Sequence, residues 1–265
     1  MVRLIAADMD DTLLDSRGLL PEACVSSLKR AMDKGVRVVL ASGRMLPAMT
    51  KYEEEIGVNA PMILFNGALT CENFTHRPIH EKKVPRGMAR AIAKETEKRG
   101  IYLQAYTVDR FVCREVTDRT RAYEASVGVK GTPVHEELSG YIDFDPYKLL
   151  AIADPRDILS LQEALSGMFA DTMNFMLSKP PYLEMVPKGT DKGEALAALA
   201  AHLGIAREDT AAFGDGQNDI SMLKWAGRGY AMAGSRAASA PGVLAAPSSD
   251  EAGVAKVVDR LLAEG

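Results

Sequence analysis

The chain is 265 residues long, 47% hydrophobic and 26% charged, with a formal net charge of −4, an ordinary globular composition sufficient for one large domain or two ordinary ones. Its Lys and Arg residues are scattered rather than clustered, which offers no electrostatic footprint for nucleic acid, and no apolar run approaches membrane-spanning length. Cys24, Cys71 and Cys113 lie far apart without CxxC spacing, which argues against both a disulfide framework and a zinc site.

The apolar run Leu4-Ile5-Ala6-Ala7 ends directly in Asp8-Met9-Asp10-Asp11-Thr12. Such a run predicts a buried parallel strand whose carboxyl end opens onto the crevice where open α/β sheets bind ligands. Two carboxylates at i and i+2 repel each other unless something positive lies between them, and a hard divalent cation held by oxygen is the usual solution. A calcium loop of the EF-hand kind needs Gly and Glu where Leu13 and Leu19 stand, so that alternative fails. The stretch before Asp8 is too short for a signal peptide, and a cytoplasmic location is expected. Without secretion, the sequon Asn73-Phe74-Thr75 is a coincidence.

Pro21 and Glu22 open an amphipathic helix that runs to Lys34, with Gly35 as its stop. A second apolar run, 36–41, ends in Ser42-Gly43-Arg44; Pro47 then starts a helix to about Ile56. A third run, 62–65, stops at the turn dipeptide Asn66-Gly67. Strands alternating with helices of this length call for a doubly wound parallel sheet with right-handed crossovers.

Beyond about Glu81 the texture changes. A helix over 85–99 precedes short, more polar strands near 102–106 and 111–112, a helical stretch over 117–127 and a loop-like segment over 128–146. A strand at 149–153, a helix over 155–169 and strands at 172–177 and 182–186 complete an α+β unit. From Asp191 the first texture returns, with a helix to His202, an apolar run 210–213 ending in Gly214-Asp215, a helix over 218–226, a strand near Tyr230 and a final helix to Leu262. Acid-tipped strands at both ends of the chain favour a core, 1–80 and 187–265, interrupted by an inserted α+β domain, 81–186.

Parallel strands present their carboxyl ends along one edge, so Asp8-Met9-Asp10, Ser42-Gly43-Arg44 and Gly214-Asp215-Gly216-Gln217-Asn218-Asp219 can converge there, with Lys192 of Gly189-Thr190-Asp191-Lys192-Gly193 following. Each has an ordinary reading of its own: Ser42 as a helix cap, Lys192 as a solvated surface residue, Asp215 and Asp219 as loop and cap residues. Their co-occurrence in this order supplies a nucleophilic carboxylate, a second carboxylate for proton transfer, a hydroxyl, a cation and metal ligands. That inventory suits phosphoryl transfer, which is mostly positioning and charge neutralisation.

As a set, these motifs resemble the haloacid dehalogenase superfamily, and within it the Cof-type phosphatases with a large αβ cap inserted after the third core strand. Phe65-Asn66-Gly67-Ala68, Leu183-Glu184-Met185-Val186-Pro187-Lys188-Gly189 and Asn218-Asp219-Ile220-Ser221-Met222-Leu223 extend the resemblance over essentially the whole chain. It implies a Rossmann-like core, Asp8 as nucleophile, Asp10 as general acid/base, Ser42 as a phosphoryl-binding hydroxyl and Lys192 as the charge-neutralising cation. It further implies Mg²⁺ held by Asp8, the Asp10 main-chain carbonyl and Asp215, with Asp219 behind them, and substrate contacts from Gly43, Arg44, Asn66, Gly67 and Asn218. The expected substrate is a small phosphorylated metabolite, with neither nucleic acid nor membrane as partner; a phosphomutase or a non-catalytic binding protein are the rival readings. The chain departs from many relatives in having Asp11 where they have Gly, and Ala233-Gly234-Ser235-Arg236-Ala237 where they often read Gly-Asn-Ala. Tyr106, Arg110, Tyr141, Lys179 and Tyr182 are candidates to face the substrate or to serve as ordinary packing and surface residues.

Overall fold

A computed structural model describes residues 1–178 and 181–264. The chain divides into two compact units: Met1–Gly43, Thr50–His80 and the chain from Asp191 onward make the first, and Arg44–Met49 with Glu81–Thr190 make the second.

The first unit is built on a five-stranded sheet in the order Leu244–Ala246, Arg228–Met232, Thr210–Gly214, Leu4–Ala7, Arg37–Leu40. All neighbours pair in parallel, with Leu4 opposite Thr210 on one side and Arg37 on the other. Both middle strands are buried along their whole length, which is why they read as continuous apolar runs rather than alternating ones. A parallel bridge from Ala41 to Ile63 leads to Met62–Leu64, which folds back antiparallel onto Leu69–Cys71 through the Phe65–Gly67 turn. Helix Glu22–Asp33 buries Cys24, Ser27, Leu28 and Ala31, the near-periodic stripe expected of an amphipathic helix. On one side of the sheet, Leu4, Ala6, Val39 and Ala212 pack with Leu196 and Leu199 of helix Lys192–His202 and with Met222 and Leu223. Each such Leu or Val side chain contributes roughly 1.5–3 kcal/mol when fully buried.

Three local features differ from the sequence expectation. Segment 47–56 is a short 3₁₀ turn, Leu46–Ala48, followed by helix Thr50–Ile56, and the turn groups with the second unit. Segment 218–226 is a 3₁₀ turn, Gln217–Asp219, before helix Ile220–Trp225. Strand Leu244–Ala246 was not legible because two of its three residues are exposed, so it carries no burial pattern.

The second unit has a six-stranded sheet in the order Met173–Leu177, Tyr182–Pro187, Lys148–Ile152, Tyr102–Tyr106, Phe111–Cys113, Thr132–Pro133. Its pairs are antiparallel except the last. Alternation along the strands is clear. Leu103, Ala105, Leu149, Ala151, Leu183 and Met185 join Ile92 of helix Arg86–Lys98 and Ile158, Leu161 and Leu165 of helix Pro155–Phe169 in one apolar core. Gln104, Tyr106, Lys148 and Glu184, at the intervening positions, are buried polar residues. The loop-like segment 128–146 contains strand Thr132–Pro133 and the helical turn Leu138–Tyr141, both too short for a periodic signal. Of the candidate substrate-facing residues, Tyr106 is buried, Tyr182 half-buried and Arg110 exposed, while Tyr141 packs against the apolar core; Lys179 lies outside the described residues. Among the described residues, no helix is long and apolar enough to cross a membrane.

Candidate active site

Three adjacent parallel strands, Arg37–Leu40, Leu4–Ala7 and Thr210–Gly214, end on one edge of the first unit's sheet, and the residues just beyond them are Ser42, Asp8 and Asp215. The Asp8 amide donates to the Phe213 carbonyl at 3.0 Å, which extends the ladder one step and fixes where the carboxylate begins. The chain then makes a single wide turn, Met9–Leu13, in which Asp10 is extended (ψ 131) and Asp11 left-handed (φ 55). Asp11 is exposed and Asp10 half-buried.

Lys192 opens its helix behind Asp191, whose side chain caps the helix by accepting from the Gly193 and Glu194 amides at 2.8 and 3.0 Å. The Lys192 side chain is wholly inaccessible to solvent. Its Nζ donates to Asp8 Oδ1 at 2.5 Å and to Asp219 Oδ1 at 2.6 Å. Asp219 Oδ2 in turn accepts from the Asp215 and Gly216 amides at 3.1 and 2.8 Å. One carboxylate thus ties the lysine to the loop that carries Asp215. Gly214 lets that carboxylate in: a Cβ there would lie 2.4 Å from Asp219 Cβ.

Carboxylate oxygens of Asp8, Asp215 and Asp219 lie within 4.8 Å of one another. Burial, then the Asp219 charge, push the Asp8 carboxyl well above the usual range, and Lys192 only partly offsets them. Burial and Asp219 likewise push Asp215 up to about 7. Burial alone would lower Lys192, but Asp219 and Asp8 outweigh it and hold the ammonium above its ordinary value. Three carboxylates against one ammonium leave two negative charges when all are ionised. Oxygen-only donors around a two-charge deficit fit a hard divalent cation such as Mg²⁺, and no soft sulfur or imidazole ligand belongs to the cluster.

A second, linked group adjoins Ser42. The buried Ser42 donates its amide to the Ile63 carbonyl at 2.8 Å, and its own carbonyl accepts from the Asn66 amide at 3.0 Å. Asn66 Oδ1 accepts from Asn218 Nδ2 at 3.1 Å, which connects Ser42-Gly43, Asn66-Gly67 and Asn218. Arg44 belongs to the second unit, where its guanidinium donates to the Ser126 carbonyl at 3.5 Å. Sequence reasoning passed over Thr12, whose hydroxyl donates to Asp215 Oδ1 at 3.3 Å. Its position four residues after Asp8, inside the same short turn, was the available signal.

The sequence profile of the haloacid dehalogenase-like hydrolase family matches residues 5–258, a span that includes every residue of the acidic cluster. A relative named HMP-PP phosphatase, from Yersinia pseudotuberculosis serotype O:1b (strain IP 31758), is 28% identical over 236 residues, 88% of this chain and 84% of that protein. The chloroplastic endoribonuclease YBEY of Arabidopsis thaliana is 28% identical over 276 residues, covering 97% of this chain; the chain spans only 46% of that longer protein. The crystal structure of a haloacid dehalogenase-like hydrolase from Bacteroides thetaiotaomicron superposes with a TM-score of 0.90 at 25% identity, covering 98% of this chain and all of the other. With the family match running through both ends of the sheet and the whole acid-lined edge, the chain belongs to the haloacid dehalogenase-like hydrolases, as a phosphatase of the Cof type.

Proposed function

We propose that this phosphatase is a Mg²⁺-dependent phosphomonoesterase that hydrolyses a small phosphorylated metabolite through an aspartyl phosphate on Asp8. The observation that carries the reading is the buried Asp8 carboxylate held 2.5 Å from a buried ammonium inside a cluster with excess negative charge. Lys192 fixes Asp8 Oδ1 and partly offsets the burial and the Asp219 charge that push the Asp8 carboxyl upward. The Asp8 oxygen attacks phosphorus; the bond from phosphorus to the leaving alkoxide breaks as Asp10 delivers a proton to that oxygen. Asp10 then takes a proton from water, whose oxygen attacks the same phosphorus, releasing inorganic phosphate and regenerating the Asp8 carboxylate. Ser42 and Gly43 are proposed to hold the transferring phosphoryl group. Asp8, the Asp10 main-chain carbonyl and Asp215 would hold Mg²⁺, which when bound supplies counter-charge to the phosphate dianion.

The proposed substrate class is small phosphate esters such as sugar phosphates, and the name of the Yersinia relative adds HMP-PP as a candidate. In the same reading, residues 81–186 are a cap domain inserted into the core. Replacing 81–186 by a short linker is then expected to leave the parallel sheet folded. The decisive experiment is a hydrolysis screen over phosphorylated metabolites with Mg²⁺ and with excess chelator, together with acid-quench trapping of phosphoenzyme. Full turnover in chelator, or phosphate trapped on a residue other than Asp8, overturns the reading.

A further inference from the structure

Turn Phe65–Gly67 touches three stretches that are far apart in sequence and that each carry part of the site. Toward Ser42, the Asn66 amide donates to the Ser42 carbonyl at 3.0 Å. The Asn66 carboxamide lies flush against the next residue, so that a Cβ on Gly43 would sit 2.8 Å from Asn66 Oδ1. Toward the Asp215–Asp219 loop, Asn66 Oδ1 accepts from Asn218 at 3.1 Å. Toward Lys192, Gly67 packs against the preceding residue, where a Cβ would lie 2.4 Å from the Asp191 carbonyl oxygen. These three approaches demand an unusual backbone. Phe65, Asn66 and Gly67 have φ of 51, 57 and 101 in succession, a run of left-handed residues in which Asn is among the few side chains at ease and Gly is free of strain.

We propose that Asn66-Gly67 is the positioning element of this active site, and that Asn66 acts through Ser42-Gly43 and Asn218 rather than as a substrate ligand. Its single carboxamide sets the spacing between the loop that presents a hydroxyl and the loop that presents carboxylates. A hydrogen-bonded side chain in that place holds two loops to a fraction of an ångström, the tolerance that in-line transfer requires. The proposal rests on the phosphoryl-transfer reading for what the loops do, but not for what holds them together.

The test uses the full-length protein with two readouts. In Asn66→Gly the left-handed backbone and the amide to Ser42 are kept and only the carboxamide is lost. Amide hydrogen exchange is expected to rise roughly tenfold or more at Gly43 and at Gly216–Asp219 together, with no change in the sheet. On an aryl phosphate, kcat is expected to fall by about 10–100-fold, the scale of an ångström-sized misplacement, with KM little changed. Asn218→Ala should match this loss, and the double variant should be no worse than either single, because both remove one bond. Asn66→Asp, which keeps the acceptor and tolerates the backbone, should restore exchange protection. A rise in KM alone with unchanged exchange would make Asn66 a substrate contact and overturn the proposal, as would additive losses in the double variant. Should the wild type fail to turn over any phosphate ester, the phosphatase reading falls while the exchange arms still decide the positioning role.

Discussion

Both units bury a lysine against carboxylates, and the two sites are built to opposite ends. In the second unit Lys148 faces Glu184 at 3.2 Å and lies over the Tyr106 ring, 4.8 Å from its centroid. There an ammonium is paired directly with a carboxylate. In the first unit Lys192 meets Asp8 and Asp219 within 2.6 Å, with Asp215 beside them, and the negative charge is left in excess. A buried pair of opposite charges gives little net stability but is costly to break, so it serves the packing of its own sheet. An excess of buried negative charge is costly by itself and is relieved by a bound cation or by protonation. Burial and Asp219 pushing Asp8 and Asp215 upward are the signature of that cost.

The sharpest way to break this comparison is to remove the proposed nucleophile. Asp8→Asn keeps the shape of the side chain and lowers the excess charge, so the fold should survive while turnover of every ester falls by about 10⁴-fold or more. Steady-state assays over several esters check this, and a residual rate near a tenth of wild type would place the nucleophile elsewhere. Asp10→Asn should discriminate by leaving group. An alkyl phosphate is expected to lose about 10²–10⁴-fold in the first step, whereas a nitrophenolate departs largely unaided and should show a burst followed by slow turnover. Rapid mixing with both ester classes reads the difference, and equal first-step losses would take the proton-carrying role from Asp10.

The two lysines provide the direct contrast. Lys192→Met and Lys148→Met each remove an ammonium paired with a buried carboxylate and should cost about 3–5 kcal/mol in urea unfolding. Mg²⁺ should recover part of the loss for Lys192→Met, since it supplies the missing counter-charge, and none for Lys148→Met. For the Lys148–Glu184 pair, joint replacement as Lys148→Met with Glu184→Gln should cost less than the single change; a Mg²⁺ response at Lys148→Met would erase the distinction between the sites. The smallest effect is expected at Asp11, which is exposed and left-handed at φ 55. Asp11→Gly should leave Mg²⁺ affinity unchanged and alter stability by no more than about 1 kcal/mol, because Gly adopts that backbone freely but also frees the unfolded chain. Titration calorimetry showing lost Mg²⁺ binding in folded Asp11→Gly would add Asp11 to the metal ligands.

The sequence by itself determined the parallel sheet and the residues at its acid-lined edge. Leu4–Ala7 and Thr210–Gly214 are apolar because both their faces are covered, and a fully buried strand must announce itself as an unbroken apolar run. Acids placed directly after such runs can only lie at the sheet's carboxyl edge, so Asp8 and Asp215 were legible as neighbours before any coordinate. Their partnerships were not. The bond from Lys192 to Asp8 spans 184 residues and the one from Asn218 to Asn66 spans 152, and no periodicity encodes a distance between elements so far apart. The grouping of Arg44–Met49 with the second unit was equally hidden, because a short irregular turn carries no repeating pattern to betray what it packs against. The same holds for Asp219: its residue type named a metal site, but only the fold decided that its two oxygens go to Lys192 and to the Asp215 and Gly216 amides. Local sequence fixes which residues are buried and along which edge they emerge; which charge meets which is set by how helices and loops close over that edge in three dimensions.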